Sequence, residues 1–142
     1  LLYHLKYPIW GLRSLAGLLR DGGMLILETA VFDAFEDLSI LLYAAGRLSP
    51  YEATSPAFFN LAGLEIALSS VGLADFTIKS RDRPIEYAVE RHFPRFAAKY
   101  PELRKALVWR TVSLATKKEV ASIHEGYHEG GHRFHSSGGK RF

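Results

Sequence analysis

The sequence predicts an α/β fold, and three observations predict it. Leu12, Leu15, Ala16 and Leu19 fall at i, i+3, i+4 and i+7, one apolar stripe on a helix. Asp21-Gly22-Gly23 follows and is expected to end that helix, because glycine takes the left-handed cap conformation without steric cost. Met24-Leu25-Ile26-Leu27 is then an unbroken apolar run, the mark of a strand covered on both faces. Glu28 and Thr29 turn polar where that strand is expected to finish. Helix, turn, buried strand and polar end make one αβ unit of a parallel sheet, with chemistry expected at the strand's carboxyl end.

Composition bounds the answer. The chain has 142 residues, room for one domain with a normal core. Hydrophobic content of 48% and charged content of 23% are those of a soluble globular protein. With no cysteine, a disulfide framework, a cysteine-based zinc site and a thiol nucleophile are all excluded. No apolar stretch approaches the ~18 residues needed to cross a membrane, so no membrane partner is expected and the setting reads as cytoplasmic. The formal charge is only +3 and the basic residues are scattered, which is not a nucleic-acid footprint.

Residues 30 to 59 are expected to leave the sheet. A short helix is predicted over Asp37 to Ala45, with Gly46 after its end and Pro50 and Pro56 in the connection beyond. Such a long connection is either a substrate-binding lid or a structural excursion. Phe58-Phe59-Asn60 opens the second strong element, and Asn60 is a good N-cap because its side-chain oxygen accepts from first-turn amides. Leu61, Leu64, Leu68 and Val71 mark the apolar face of the helix that follows, closed by Gly72. Phe76 and Ile78 alternate with Thr77 and Lys79, which predicts a strand over Leu73 to Lys79.

From Ile85 to Tyr100 the apolar residues keep helical period, interrupted by Pro94, so two short helices or one kinked helix are expected. Ala106 to Thr116 is rich in residues that favour β structure and predicts the last strand. Beyond Val120 the composition becomes Gly-, His- and Ser-rich, and residues 120–142 are expected to be disordered.

The opening residues also carry a resemblance. Leu2-Tyr3-His4-Leu5 with Pro8, then the Leu-rich helix, Leu18-Leu19-Arg20-Asp21-Gly22-Gly23 and Leu25-Ile26-Leu27-Glu28-Thr29, come in series. That series resembles the C-terminal half of a class I S-adenosylmethionine-dependent methyltransferase, in the branch of the tRNA wobble-uridine (carboxy)methyltransferases. The resemblance implies a Rossmann-like sheet in which the last strand runs antiparallel and inserts between the other two. It implies S-adenosyl-L-methionine, or its carboxy derivative, as cofactor, and a tRNA base or a small metabolite as methyl acceptor.

It also implies roles for residues. Tyr3 and His4 would line the cofactor pocket; Glu28, Thr29 and Asp33 would face the substrate, and Arg47 and Tyr51 lie near an Arg-Tyr element of the family. Methyl transfer from a sulfonium needs mainly alignment of nucleophile and methyl carbon, so no catalytic residue is assigned. A Rossmann-like cofactor site needs a glycine-rich turn after its first strand and an acidic residue about 20 positions later. Neither is present in these residues. Residues 1–119 are therefore expected to be the C-terminal part of a methyltransferase domain whose cofactor-binding half is missing. The three expected strands would form one contiguous half of its sheet, with an apolar edge exposed on Met24 to Glu28.

Each candidate has a plainer reading. On that reading Tyr3 and His4 are packing residues over the first helix, Glu28 is a structural cap, and Arg110 is a salt-bridged or edge residue. Trp10, Phe58, Phe59, Phe93, Phe96 and Trp109 read as core rather than stacking platforms. His124, His128, His132 and His135 are spaced for one helical face, which makes a non-catalytic module with a metal-binding tail the alternative function. The glycines among them oppose a helix, and no metal site is assigned.

Overall fold

The computed structural model describes residues 1–44, 49, 53–54, 56–82, 84–101 and 104–118. Arg47 and Tyr51, and the histidines of the 120–142 tail, lie outside the described residues. Among the described residues the chain forms a mixed six-stranded sheet with flanking helices. In chain order these are a 3-10 turn at Leu2–His4, helix α1 (Pro8–Gly17), strands β1 (Met24–Asp33), β2 (Leu41–Tyr43) and β3 (Ala57–Asn60), and helix α2 (Leu61–Ser69). Strands β4 (Leu73–Arg81) and β5 (Ile85–Ala88), helices α3 (Val89–His92) and α4 (Pro94–Lys99), and strand β6 (Lys105–Lys117) complete it.

The strands run in the order β2-β3-β1-β6-β4, with β5 also paired to β6. β6 is antiparallel to both neighbours and sits between β1 and β4, as the resemblance implied. Its register with β1 is continuous from Met24 opposite Thr116 to Asp33 opposite Leu107. β3 joins the other edge of β1 in parallel, but only at Val31 and Phe32. Along Met24 to Ala30 that edge has no strand partner among the described residues.

Side chains alternate across a strand, so β1 feeds two cores. Leu27 and Val31 pack with Leu12 and Ala16 of α1, with Leu64, Ala67 and Leu68 of α2, and with Ala115 of β6. Burial of a leucine such as Leu12 or Leu64, both fully covered, contributes roughly 1.5–3 kcal/mol. Ala30 and Phe32 point the other way, into a second cluster with Tyr3, Phe58, Tyr87 and Val108.

Several expectations are corrected. α1 ends at Gly17, with Leu18 still in the right-handed region, and so stops before the Gly-Gly pair. Gly22, at φ 74°, instead turns the chain into β1, and its N–H donates to the Lys117 carbonyl at 2.9 Å. β1 runs on past Glu28 and Thr29 to Asp33, because β6 offers pairing along that whole length. Nor is its first half covered on both faces: Met24 and Ile26 are 64% and 73% exposed.

Residues Leu41–Tyr43 form a strand against β3 rather than a helix over Asp37 to Ala45. Ile85–Ala88 pair with Lys105–Val108 instead of starting a helix. Long-range strand partners won over local period at both places. The two short helices that follow are separated at Phe93, and Pro94 takes the first position of α4, where its missing N–H costs nothing. Strands β2, β3 and β5 raise the expected three strands to six. Trp10 is 66% exposed and Phe96 39%, so neither is core, whereas Phe58 and Phe59 are buried as expected.

Candidate functional site

The carboxyl end of β1 is where the chain opens cavities. What shapes them is the loop that leaves the strand, residues 34–40, and what holds that loop is Asn60. Asn60 ends β3 and caps α2: its Oδ1 accepts from the Gly63 N–H at 2.8 Å, as its place before the apolar run predicted. The same oxygen accepts from the Ile40 N–H at 3.0 Å. Its Nδ2 donates toward the carbonyls of Ala34, Phe35 and Leu38 at 3.0, 2.8 and 2.6 Å. The side chain is 1% exposed, so these bonds replace water that it has given up.

Two features allow that close approach. Phe35 takes a left-handed φ of 57°, which costs a non-glycine residue about 1–2 kcal/mol and must be offset by the bonds around it. Gly63 brings no side chain to the first turn of α2. A Cβ there would stand 2.5 Å from the Ile40 carbonyl oxygen and 2.8 Å from Asn60 Oδ1.

Two cavities flank this loop. One, of about 450 Å³, is apolar and half its lining residues are aromatic; Phe32, Phe35, Tyr87, Phe93, Phe96 and Tyr100 supply most of the rings. The other, of about 350 Å³, is polar and is lined by Asp33, Glu36, Asn60, Glu65 and Arg81 among others. Phe32 and Ala34 border both. The first is within the usual size range of small-ligand sites.

The proposed site residues divide. Tyr3 is buried against the second cluster, its ring stacked on Phe58 with centroids 5.9 Å apart. That cluster includes Phe32 and Tyr87, which also wall the aromatic cavity. His4 is exposed beside it, its ring 4.2 Å from that of Tyr3. Asp33 lines the polar cavity. Asp33 thus borders one cavity, while Tyr3 packs behind a wall of the other with His4 beside it.

Glu28 and Thr29 lie further back along the strand. Glu28 is exposed and its Oε1 is 3.4 Å from Arg110 Nε. Arg110 is held more closely by Asp82, with Nη2 to Oδ2 at 2.7 Å, so the charged residue in an apolar strand is ion-paired. Thr29 is buried, and its carbonyl accepts from Thr111 Oγ1 at 3.1 Å. Neither Glu28 nor Thr29 lines the two cavities.

Sequence reasoning missed the aromatic lining. Phe93 and Phe96 read as core because a cavity wall and a core share one period. Among the described residues no group of three or more His, Asp or Glu is placed to hold a metal. Burial raises the Tyr87 phenol above its ordinary value of 10.0, so Tyr87 is a neutral wall of the cavity at physiological pH. No helix among the described residues is long and apolar enough to cross a membrane.

No protein-family model matches the chain. A stretch of 70 residues is 43% identical to the tRNA U34 carboxymethyltransferase of Syntrophotalea carbinolica, over 45% of this chain and 22% of that protein. The chain therefore spans well under half the length of this curated relative.

Proposed function

We propose that this chain is the C-terminal part of an S-adenosylmethionine-dependent methyltransferase that modifies tRNA. One observation carries the reading: a 43% identical match to a tRNA U34 carboxymethyltransferase, in a chain whose antiparallel strand β6 lies between β1 and β4. The relative's name favours a tRNA base as acceptor over a small metabolite.

The residues present fit one wall of a cofactor site and not the whole of it. Tyr3, buried on Phe58, and His4, exposed next to it, are the residues of this chain that would border the cofactor. The sequence has no glycine-rich turn followed about 20 residues later by an acid, so the turn that lets backbone approach the cofactor and the acidic ribose ligand of a Rossmann-like site are not in these residues. The cofactor, when bound, supplies an electrophilic methyl or carboxymethyl carbon. This chain's contribution is alignment. Asn60 fixes the 34–40 loop, the loop sets the position of Asp33 and the aromatic wall, and these orient the acceptor. Asp33 is the residue suited to hold an acceptor hydroxyl or imino group by accepting a hydrogen bond.

Calorimetry with S-adenosylmethionine tests the reading. The 142-residue chain alone is expected to bind with a Kd weaker than about 1 mM, and the whole protein in the micromolar range. Micromolar binding by the chain alone would overturn the half-site assignment.

A further inference from the structure

One edge of the sheet is left unprotected. β4, at one end of the strand order, has two register shifts and exposes the charges of Asp75, Lys79 and Arg81, devices that blunt an edge. β2, at the other end, has only three residues. Between them β1 has no strand partner on one side from Met24 to Ala30 among the described residues, and no proline, lysine or bulge guards that stretch.

The bonds that β1 already makes fix which backbone groups this edge presents. The carbonyls of Gly23, Leu27 and Thr29 turn toward β6, where they accept from the Lys117 N–H, Ser113 Oγ and Thr111 Oγ1. Successive residues of a strand turn their N–H and C=O to opposite neighbours, so those of Met24 and Ile26 point outward. Glu28 keeps the same parity: its carbonyl accepts from the Leu1 amino group at 2.8 Å. Leu1 thus closes one end of the edge and leaves Met24 to Leu27 open.

This open stretch is apolar and complementary to itself. A two-fold axis at Leu25 sets Met24 opposite Ile26 of a second copy, two side chains that are largely exposed in one chain alone. Glu28 then falls opposite Gly22, so no like charges meet. α1 covers β1 through Leu12 and Ala16 against Leu27, and its exposed Ile9, Trp10 and Leu18 can widen the contact. Seven of the thirteen large hydrophobic side chains exposed among the described residues lie in residues 1–26, so the apolar surface is concentrated where the edge is open.

We infer that β1 pairs with β1 of a second copy of this chain, antiparallel about a two-fold axis at Leu25, and joins two six-stranded sheets into one. Such an isologous contact uses the same edge on both copies and closes at two. The inference rests on this edge alone and does not use the methyltransferase reading.

Sedimentation equilibrium of the 142-residue chain, between about 5 and 500 μM, tests the association. A monomer–dimer equilibrium with a Kd of about 1–100 μM is expected, as suits a small interface. Hydrogen exchange at the two ends of that concentration range tests the pairing. The Met24 and Ile26 amides are expected to slow by at least about twofold at the higher concentration, while Leu25 and Leu27, which face β6, change little. Ile26→Lys, at an exposed position, is expected to weaken association by at least about tenfold. Met24→Lys carries the same expectation, so one variant that fails to fold still leaves a test.

A chain that stays monomeric at about 500 μM overturns the proposal. So does association that runs on past the dimer or leaves the Met24 and Ile26 amides exchanging as before. Wild-type association by a folded Ile26→Lys or Met24→Lys chain overturns it as well. Methyl transfer succeeds or fails separately from all of these results.

Discussion

Asn60 Nδ2 lies 2.8 Å from the carbonyl oxygen of Phe35, the residue whose φ of 57° starts the loop out of β1. One amide side chain thus ties together the end of β3, the first turn of α2 and a loop about 25 residues upstream, and the two cavities depend on that tie.

Asn60→Ala removes every one of these bonds and leaves loop carbonyls without donors. A loss of about 2–4 kcal/mol is expected, read as a lower urea midpoint. Asn60→Asp keeps the capping oxygen but turns a second acceptor toward three carbonyls. It is expected to cost at least as much at neutral pH. An Asp variant close to wild type would show that the cap, not the loop, is what Asn60 supports.

Gly63 sits inside a helix, where alanine is normally the better residue by about 1 kcal/mol. Here the added Cβ would meet the Ile40 carbonyl at 2.5 Å, which is backbone and cannot swing away. Gly63→Ala is expected to destabilise by about 1–3 kcal/mol. Thermal unfolding decides it: a raised Tm would mean that the loop does not press against α2.

Arg110 gives the opposite expectation. Its partners Asp82 and Glu28 are half exposed, so Asp82→Asn should cost under about 1 kcal/mol. That small cost should shrink further in 0.5 M salt, at which the Debye length is roughly 4–5 Å. A larger, salt-independent loss in chemical denaturation would contradict the exposed ion-pair picture.

Tyr87 predicts a slope in alkaline stability. Burial raises its folded-state value above the ordinary 10.0, so the folded protein holds this proton more tightly than the unfolded chain does. Its contribution is fully present below pH 10, and is lost as pH rises through the folded value. Denaturation of wild type and Tyr87→Phe between pH 8 and about 11.5 checks this, since the variant should lose stability less steeply. Parallel profiles would exclude Tyr87 as the source.

How legible all this was in the sequence depended on where each signal came from. The α1 stripe, the Asn60 cap and the placement of β6 were readable because a local pattern or motif series carried them. Leu41–Tyr43 and Ile85–Ala88 were not, since their strand state comes from partners at Ala57–Phe59 and Lys105–Val108. The length of β1 was hidden for the same reason: Glu28 and Thr29 look like an ending until β6 runs beside them. Of the site, Tyr3, His4 and Asp33 were named through the resemblance, and their roles are proposals. Phe96 and Tyr100 were hidden because apolar period does not tell a cavity wall from a core. The fivefold bonding of Asn60 had no sequence signal beyond its cap position.

The most direct measurement is transfer of a labelled methyl group from S-adenosylmethionine, or of the carboxymethyl group from its carboxy derivative, to unmodified tRNA by the whole protein. The account predicts label in tRNA, with Asp33→Asn lowering kcat/KM by at least about tenfold in a protein that unfolds as wild type does, a loss of about 1.4 kcal/mol in transition-state stabilisation. A folded protein that places no label in tRNA with either donor would contradict it.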